Sequence, residues 1–182
     1  MCDMFVWVGC RLPMAYEREL RFGLREINEQ IGLNEAAFAL PQHISLKISF
    51  SVPDERVPMV LDALEEMLKK EKPFAVQLGG VTQLAGGVLC LNVRQNARLK
   101  TLHTRLDDML KKDFGVPQHL FDTDFRFHST LFMDPDDEKR SRMYEILAQF
   151  PHDETLGVES FLLGTSVSGK AGTYQVVREI SL

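Results

Sequence analysis

The spacing of apolar residues along the chain changes repeatedly between the period of a strand and the period of a helix. Short apolar runs and strict alternation of apolar and polar residues predict strands, whereas apolar residues three and four positions apart predict helices. Strands are predicted at 4–12, 43–50, 74–84, 88–94, 126–133, 155–167 and 173–182. Helices are predicted at 16–31, 57–68, 97–114 and 136–150.

The order of these elements repeats. A strand, a helix, a strand that begins near His43, a helix and a strand are followed by a strand, a helix, a strand that contains His128, a helix and two strands. This repetition predicts a structural duplication with pseudo-two-fold symmetry. The chain has 182 residues, which is the size of one domain or of two lobes that share a cleft, so we expect 1–182 to form a single bilobal domain.

Composition and charge narrow the classes of function. The chain is 45% hydrophobic and 26% charged, as in an ordinary globular protein, which excludes intrinsic disorder. Its formal net charge is −5, so it lacks the positive charge of a protein that coats long duplex nucleic acid. We therefore expect any nucleic-acid ligand to be short or to be contacted at one end.

The cysteines and the apolar runs bear on the cellular compartment. Cys2, Cys10 and Cys90 are odd in number and form no CxxC pair, which argues against a disulfide framework and a cysteine zinc site. The amino-terminal apolar run has no basic segment before it, and no stretch reaches the roughly 20 apolar residues that span a bilayer. We expect a cytoplasmic protein without membrane contact.

Two short motifs share the form His, any residue, hydroxyl residue, Leu. The first contains His43 and Ser45, and the second contains His128 and Thr130. Residues i and i+2 of a strand project from the same face, so each motif places an imidazole beside a hydroxyl. If the duplicated halves face each other, both pairs converge on one cleft.

Such a pair of motifs suits a phosphodiester substrate. One neutral imidazole could take a proton from an attacking water while the second, protonated, gives a proton to the leaving ribose oxygen. Histidine can fill both roles because its reference pKa is about 6.5, and the hydroxyls could donate to phosphate oxygens. This chemistry needs no metal and no cofactor. Either histidine alone could equally be an ordinary strand residue.

The motifs and the element order resemble those of the 2H (two-histidine) phosphoesterases. The residues that carry the resemblance are Pro41-Gln-His43-Ile-Ser45-Leu46, Phe127-His128-Ser-Thr130-Leu131 and the opening strand that ends before Pro13. The nearest branch is the bacterial one called 2′-5′ RNA ligase or RNA 2′,3′-cyclic phosphodiesterase. Membership would imply a bilobal α+β fold with antiparallel sheets lining a central cleft and helices on the outside. It would also imply metal-independent hydrolysis of a 2′,3′-cyclic phosphate or a related nucleotide phosphodiester, with His43, Ser45, His128 and Thr130 in the catalytic roles.

Further side chains are candidates for substrate binding. Lys47 shares the strand face of His43, and Arg126 shares that of His128, so either could contact phosphate or could belong to a solvated rim. Tyr174 could stack on a base, as could Phe5 and Trp7, although aromatic residues in strands usually belong to the core. The other histidines, His103, His119 and His152, lack a hydroxyl residue two positions on and are interpreted as surface residues.

Several functions remain open from the sequence. The first is an enzyme that hydrolyses an RNA end or a small nucleotide phosphodiester, acting as a monomer. The second is a module that binds such ends without turnover, and the third is a 2′-5′ RNA ligase that runs the same chemistry in reverse. A metalloenzyme with His43 and His128 as ligands lacks an evident third ligand.

Overall fold

A computed structural model describes residues 3–182 and shows an α+β fold of two antiparallel sheets and four α-helices. The strands are β1 (Asp3–Arg11), β2 (His43–Ser45), β3 (Phe50–Pro53), β4 (Phe74–Leu84), β5 (Val88–Val93), β6 (His128–Met133), β7 (Thr155–Val158), β8 (Ser160–Ser166) and β9 (Gln175–Ser181). The helices are α1 (Met14–Ile31), α2 (Val57–Leu68), α3 (Ala97–Phe114) and α4 (Asp137–Leu147). None of the helices within 3–182 is both long and apolar enough to cross a membrane.

Each sheet carries one of the histidine strands at its edge. The first sheet has the order β2-β1-β8-β9, and β3 continues along the same edge of β1 as β2. The second sheet has the order β6-β5-β4-β7. The two edge strands β2 and β6 lie next to each other, so both motifs meet where the sheets adjoin. The fold class predicted from the sequence is confirmed.

The two halves of the chain exchange strands. β4, which follows the helix after the first motif, joins the second sheet. β8, which follows the helix after the second motif, joins the first sheet beside β1, where Trp7 pairs with Gly164. Neither sheet is therefore built from one half of the sequence alone.

The helices cover the outer faces of the sheets. The apolar stripes of α2 and α3 pack on the first sheet, with Leu64 and Leu102 fully buried. Those of α1 and α4 pack on the second sheet, with Leu24 and Met143 in its core. Fully burying a side chain of this size stabilises the fold by about 1.5–3 kcal/mol, so these helices stabilise the sheets that carry the two motifs.

The prediction of one continuous strand at 43–50 is wrong. The segment divides into β2 and β3, and the alternation ends after Ser45 because Leu46 and Lys47 are both buried. The Leu46 N–H still donates to the Val8 carbonyl of β1, so the chain stays beside β1 while the side chain of Lys47 turns inward.

The predicted strand at 155–167 is two strands in different sheets. Val158 pairs with Phe74 in the second sheet, whereas Ser160 pairs with Ser181 in the first. Glu159 is the crossover between them. The predicted strand at 126–133 begins only at His128, so Arg126 precedes the strand rather than lying in it.

Candidate active site

The first motif is positioned by the edge of the first sheet. His43 opens β2 and pairs with Arg11 of β1. Its Nδ1 donates to the backbone carbonyl of Pro41, two residues earlier, at 2.7 Å. Because a carbonyl oxygen can only accept a hydrogen bond, Nδ1 carries a proton. Nε2 is therefore the nitrogen left for proton transfer.

The second motif repeats this arrangement on the other sheet. His128 opens β6 and pairs with Asn92 of β5. Its Nδ1 donates to the carbonyl of Arg126, again two residues earlier and again at 2.7 Å. The duplication thus extends to the hydrogen bond that orients each ring, and both half-buried imidazoles keep Nε2 available.

Trp7 supports the first motif from β1. Its Nε1 donates to Ser45 Oγ at 3.2 Å, and its ring meets the His43 ring edge-on with centroids 4.4 Å apart. Since Ser45 Oγ accepts from the indole, its own proton is free to be donated. Two glycines make room for this ring: a Cβ on Gly9 would lie 2.9 Å from Trp7 Cζ2, and one on Gly164 would lie 2.7 Å from Cε3.

A buried amide and hydroxyl join the two motifs directly. Gln42 Nε2 donates to Ser129 Oγ at 2.7 Å and to the Thr130 carbonyl at 2.8 Å. Ser129 Oγ in turn donates to the His43 carbonyl at 2.8 Å. Sequence reasoning missed this pair, since its partners are 87 positions apart and nothing local indicates that they meet.

The environment disfavours charge on both imidazoles. Burial lowers the pKa of His43 to about 4; its bond to Pro41 opposes the shift, and the charges of His128 and Arg21 add to it. Burial also lowers the pKa of His128. The strands that carry the two rings lie next to each other, which the sequence could suggest only through the repeated pattern.

Lys47 does not face the site, which corrects the prediction that it contacts phosphate. Its side chain is 1% exposed, and Nζ lies 2.5 Å from carboxylate oxygens of both Asp107 and Asp122. His103, interpreted as a surface residue, is also buried here: Nδ1 contacts the Leu46 carbonyl at 2.8 Å and Nε2 the Asp122 carbonyl at 3.0 Å. These groups form a structural cluster beneath the first motif.

The remaining candidates lie at the margins of the motifs. Arg126 is exposed, and it is its backbone carbonyl that orients His128. Tyr174 is half-buried just before β9. Contact of either side chain with a substrate stays a prediction.

The described residues hold few groups suited to metal binding. Within 3–182, no cluster of three or more His, Cys, Asp or Glu side chains could hold a metal ion. Cys10 and Cys90 are buried free thiols, and burial raises the pKa of Cys90 to about 12. Cys2 lies outside the described residues.

The family model described as the 2′-5′ RNA ligase superfamily matches residues 19–165, and the chain belongs to this family. The match spans both motifs. It confirms the resemblance to the 2H phosphoesterases, because this superfamily is the 2H group. No curated protein sequence matches the chain.

Solved structures with the same fold are similar over nearly the whole chain. Escherichia coli LigT in complex with 3′-AMP is 19% identical, with a TM-score of 0.67 and coverage of 99% of this chain and 98% of LigT. TT0787 of Thermus thermophilus is 18% identical, with a TM-score of 0.66 and coverage of 98% and 97%. Usb1 of Kluyveromyces marxianus is 13% identical, with a TM-score of 0.54 and coverage of 99% and 98%. Further structures of E. coli LigT are complexes with NADP+ and ATP.

Proposed function

We propose that the protein is a phosphodiesterase that hydrolyses the 2′,3′-cyclic phosphate end of an RNA, or a related small nucleotide phosphodiester, without a metal ion. The observation that carries the proposal is the matched orientation of His43 and His128, each fixed through Nδ1 and each with Nε2 available. Two such groups supply the base and the acid that hydrolysis of a phosphodiester needs.

The reaction proceeds by attack of a water oxygen on phosphorus. One imidazole Nε2 takes the proton of the water as the new P–O bond forms. The other, protonated at Nε2, gives its proton to the ribose oxygen as the bond from that oxygen to phosphorus breaks. Ser45 and Thr130 donate hydrogen bonds to the non-bridging oxygens, where negative charge grows.

We assign the base to His43 and the acid to His128. His43 experiences the charges of His128 and Arg21 in addition to burial, so its neutral form is the more strongly favoured. The Nδ1 hydrogen bond opposes burial in both rings, through Pro41 for His43 and through Arg126 for His128, so these charges are what distinguish the two pKa values. A bound phosphodiester anion would favour the protonated form of the acid, so substrate binding prepares the proton donor.

Family membership supports phosphodiester chemistry as the reaction class. The complexes of E. coli LigT with 3′-AMP, NADP+ and ATP show small nucleotides bound to a protein of the same fold. A nucleotide that ends in a phosphodiester is therefore the substrate class to test first for this chain.

The test is a turnover assay with adenosine 2′,3′-cyclic monophosphate and with a short RNA that ends in a 2′,3′-cyclic phosphate. His43→Ala and His128→Ala should each lower kcat by about 10²–10⁴-fold, and EDTA should have no effect. His152→Ala is the matched control, because this histidine lies outside both motifs and its Nε2 contacts the Leu147 carbonyl.

The other functions give distinct results in the same assay. Full activity in either motif variant would refute the proposal. Saturable nucleotide binding with no product after long incubation would identify a binding module, and loss of activity in EDTA would identify a metalloenzyme. Joined product from added RNA with a 5′-hydroxyl would show that the reverse, ligating direction operates.

A further inference from the structure

We propose that Gln42 and Ser129 are positioning residues that hold the His43 and His128 strands at the separation needed for both imidazoles to act on one phosphodiester. The proposal rests on the function proposed above. It concerns residues that are adjacent in sequence to the two histidines but project from the opposite face of each strand.

The pair uses every donor that it brings into the interior. Gln42 is 2% exposed and Ser129 is 0% exposed. The two amide hydrogens of Gln42 go to Ser129 Oγ and to the Thr130 carbonyl, and the hydroxyl hydrogen of Ser129 goes to the His43 carbonyl. Each residue thus bonds to the backbone of a motif residue on the other strand.

Strand pairing alone does not set the distance between the motifs. β2 pairs with β1 in the first sheet and β6 pairs with β5 in the second, with no ladder of backbone hydrogen bonds between β2 and β6 among the described strands. The three bonds of Gln42 and Ser129 cross this junction. A misplacement of about 1 Å in a reacting group can lower a rate by about 10²-fold, so the junction is where precision is required.

Burial does not by itself require a hydroxyl at this place in the motif. The corresponding middle residue of the first motif is Ile44, which is apolar and 0% exposed. The second motif has Ser129 at the matching position, where its hydroxyl is fully used. A polar residue at one of two equivalent buried positions indicates a role in registering the strands rather than in filling space.

The experiment compares Ser129→Ala and Gln42→Met with the double variant. Each single change should lower kcat by about 10–100-fold while KM changes less than about threefold, since the groups that contact substrate remain. The double variant should be no slower than the slower single variant, because both changes break the same junction. Ser129→Cys, which is close to serine in volume, replaces Ser129→Ala if the latter does not fold.

Ser160→Ala is the matched control. Ser160 is 8% exposed, and its Oγ donates to Glu179 at 2.8 Å, a contact between β8 and β9 that involves neither motif. Ser160→Ala should lower the melting temperature about as much as Ser129→Ala does, but it should leave kcat unchanged. If Ser129→Ala and Gln42→Met likewise lower only the melting temperature, the pair is structural and the proposal is overturned.

A titration of the imidazoles by NMR tests the proposal without turnover. Opening the junction admits water to His43 and moves it away from His128, so its pKa should rise from about 4 toward 6.5 in both single variants and stay fixed in Ser160→Ala. An unchanged His43 titration in both variants would overturn the proposal. If the wild-type protein hydrolyses no phosphodiester, the proposed function fails, and the titration still decides whether the pair positions the rings.

Discussion

Replacing Lys47 by methionine distinguishes two roles for this residue, an ion pair within a buried cluster and contact with the phosphate of a substrate. Methionine keeps the length and apolar stem of the side chain but removes the ammonium that lies 2.5 Å from Asp107 and Asp122. Both carboxylates are then left buried without their cation, since they are 10% and 0% exposed. Removing one partner of a buried ion pair costs about 3–5 kcal/mol.

This loss should be large in a melting experiment. For a chain of this size, 1 kcal/mol corresponds to about 2–4 °C in Tm, so Lys47→Met should lower Tm by roughly 6–20 °C in circular dichroism or differential scanning fluorimetry. At a temperature where the variant is folded, kcat should stay within about threefold of the wild type, as expected of a residue that does not contact substrate.

The pH dependence of the defect gives a second check. Burial acts to raise the pKa of Asp122, but the Lys47 ammonium and the His119 N–H outweigh burial and hold it below its ordinary value. The carboxylate therefore stabilises the wild type above about pH 4, and this contribution is lost as the pH falls further. In Lys47→Met the carboxylate lacks its partner, so the difference in Tm should narrow on acidification. An unchanged Tm together with a strong loss of kcat would refute the reasoning and would indicate that Lys47 contacts the substrate phosphate.

Three further predictions concern the motifs. The profile of kcat/KM against pH should be bell-shaped. On acidification, kcat/KM should fall below about pH 4 as His43 gains a proton, and on raising the pH it should fall as His128, whose pKa burial lowers from 6.5, loses its proton. A plateau extending to pH 8 would contradict the assignment. Trp7→Phe keeps an aromatic ring beside Gly9 and Gly164 but removes the donor to Ser45 Oγ. Because such a hydrogen bond is worth about 1 kcal/mol, kcat should fall about fivefold. An unchanged kcat would show that Trp7 does not support the site. Gly164→Ala places a Cβ 2.7 Å from Trp7 Cε3 and 2.8 Å from the Gln175 carbonyl. The free energy of unfolding measured in urea should therefore fall by about 1–3 kcal/mol. A stability equal to that of the wild type would show that the surrounding residues accommodate the Cβ without strain.

The parts of the fold that could be predicted are those in which the chain repeats a local pattern. His43 and His128 each open a short strand, and the recurrence of strand, helix and strand around them indicated that these strands are equivalent. The bounds of α3 could be predicted because its apolar stripe and the glycine that ends it, Gly115, lie within one segment.

The parts that could not be predicted depend on residues distant in sequence. Lys47 fits the alternation of a strand, but Asp107 and Asp122, 60 and 75 positions away, draw it inward. Neither carboxylate stands out in a sequence with 26 acidic residues. The sequence did not indicate the crossover at Glu159 because the residues on both sides of it favour strands. Only the pairing partners show that these strands belong to different sheets.

The exchange of strands also sets the order in which the protein can mature on the ribosome. β1 is synthesised before β8, which covers one of its edges and follows it by more than 140 residues. Translation proceeds at about 5–20 residues per second, so the Val6 and Val8 segment spends many seconds as an unpaired edge. A nascent chain of this protein should therefore need protection by chaperones at β1 until β8 has left the ribosome.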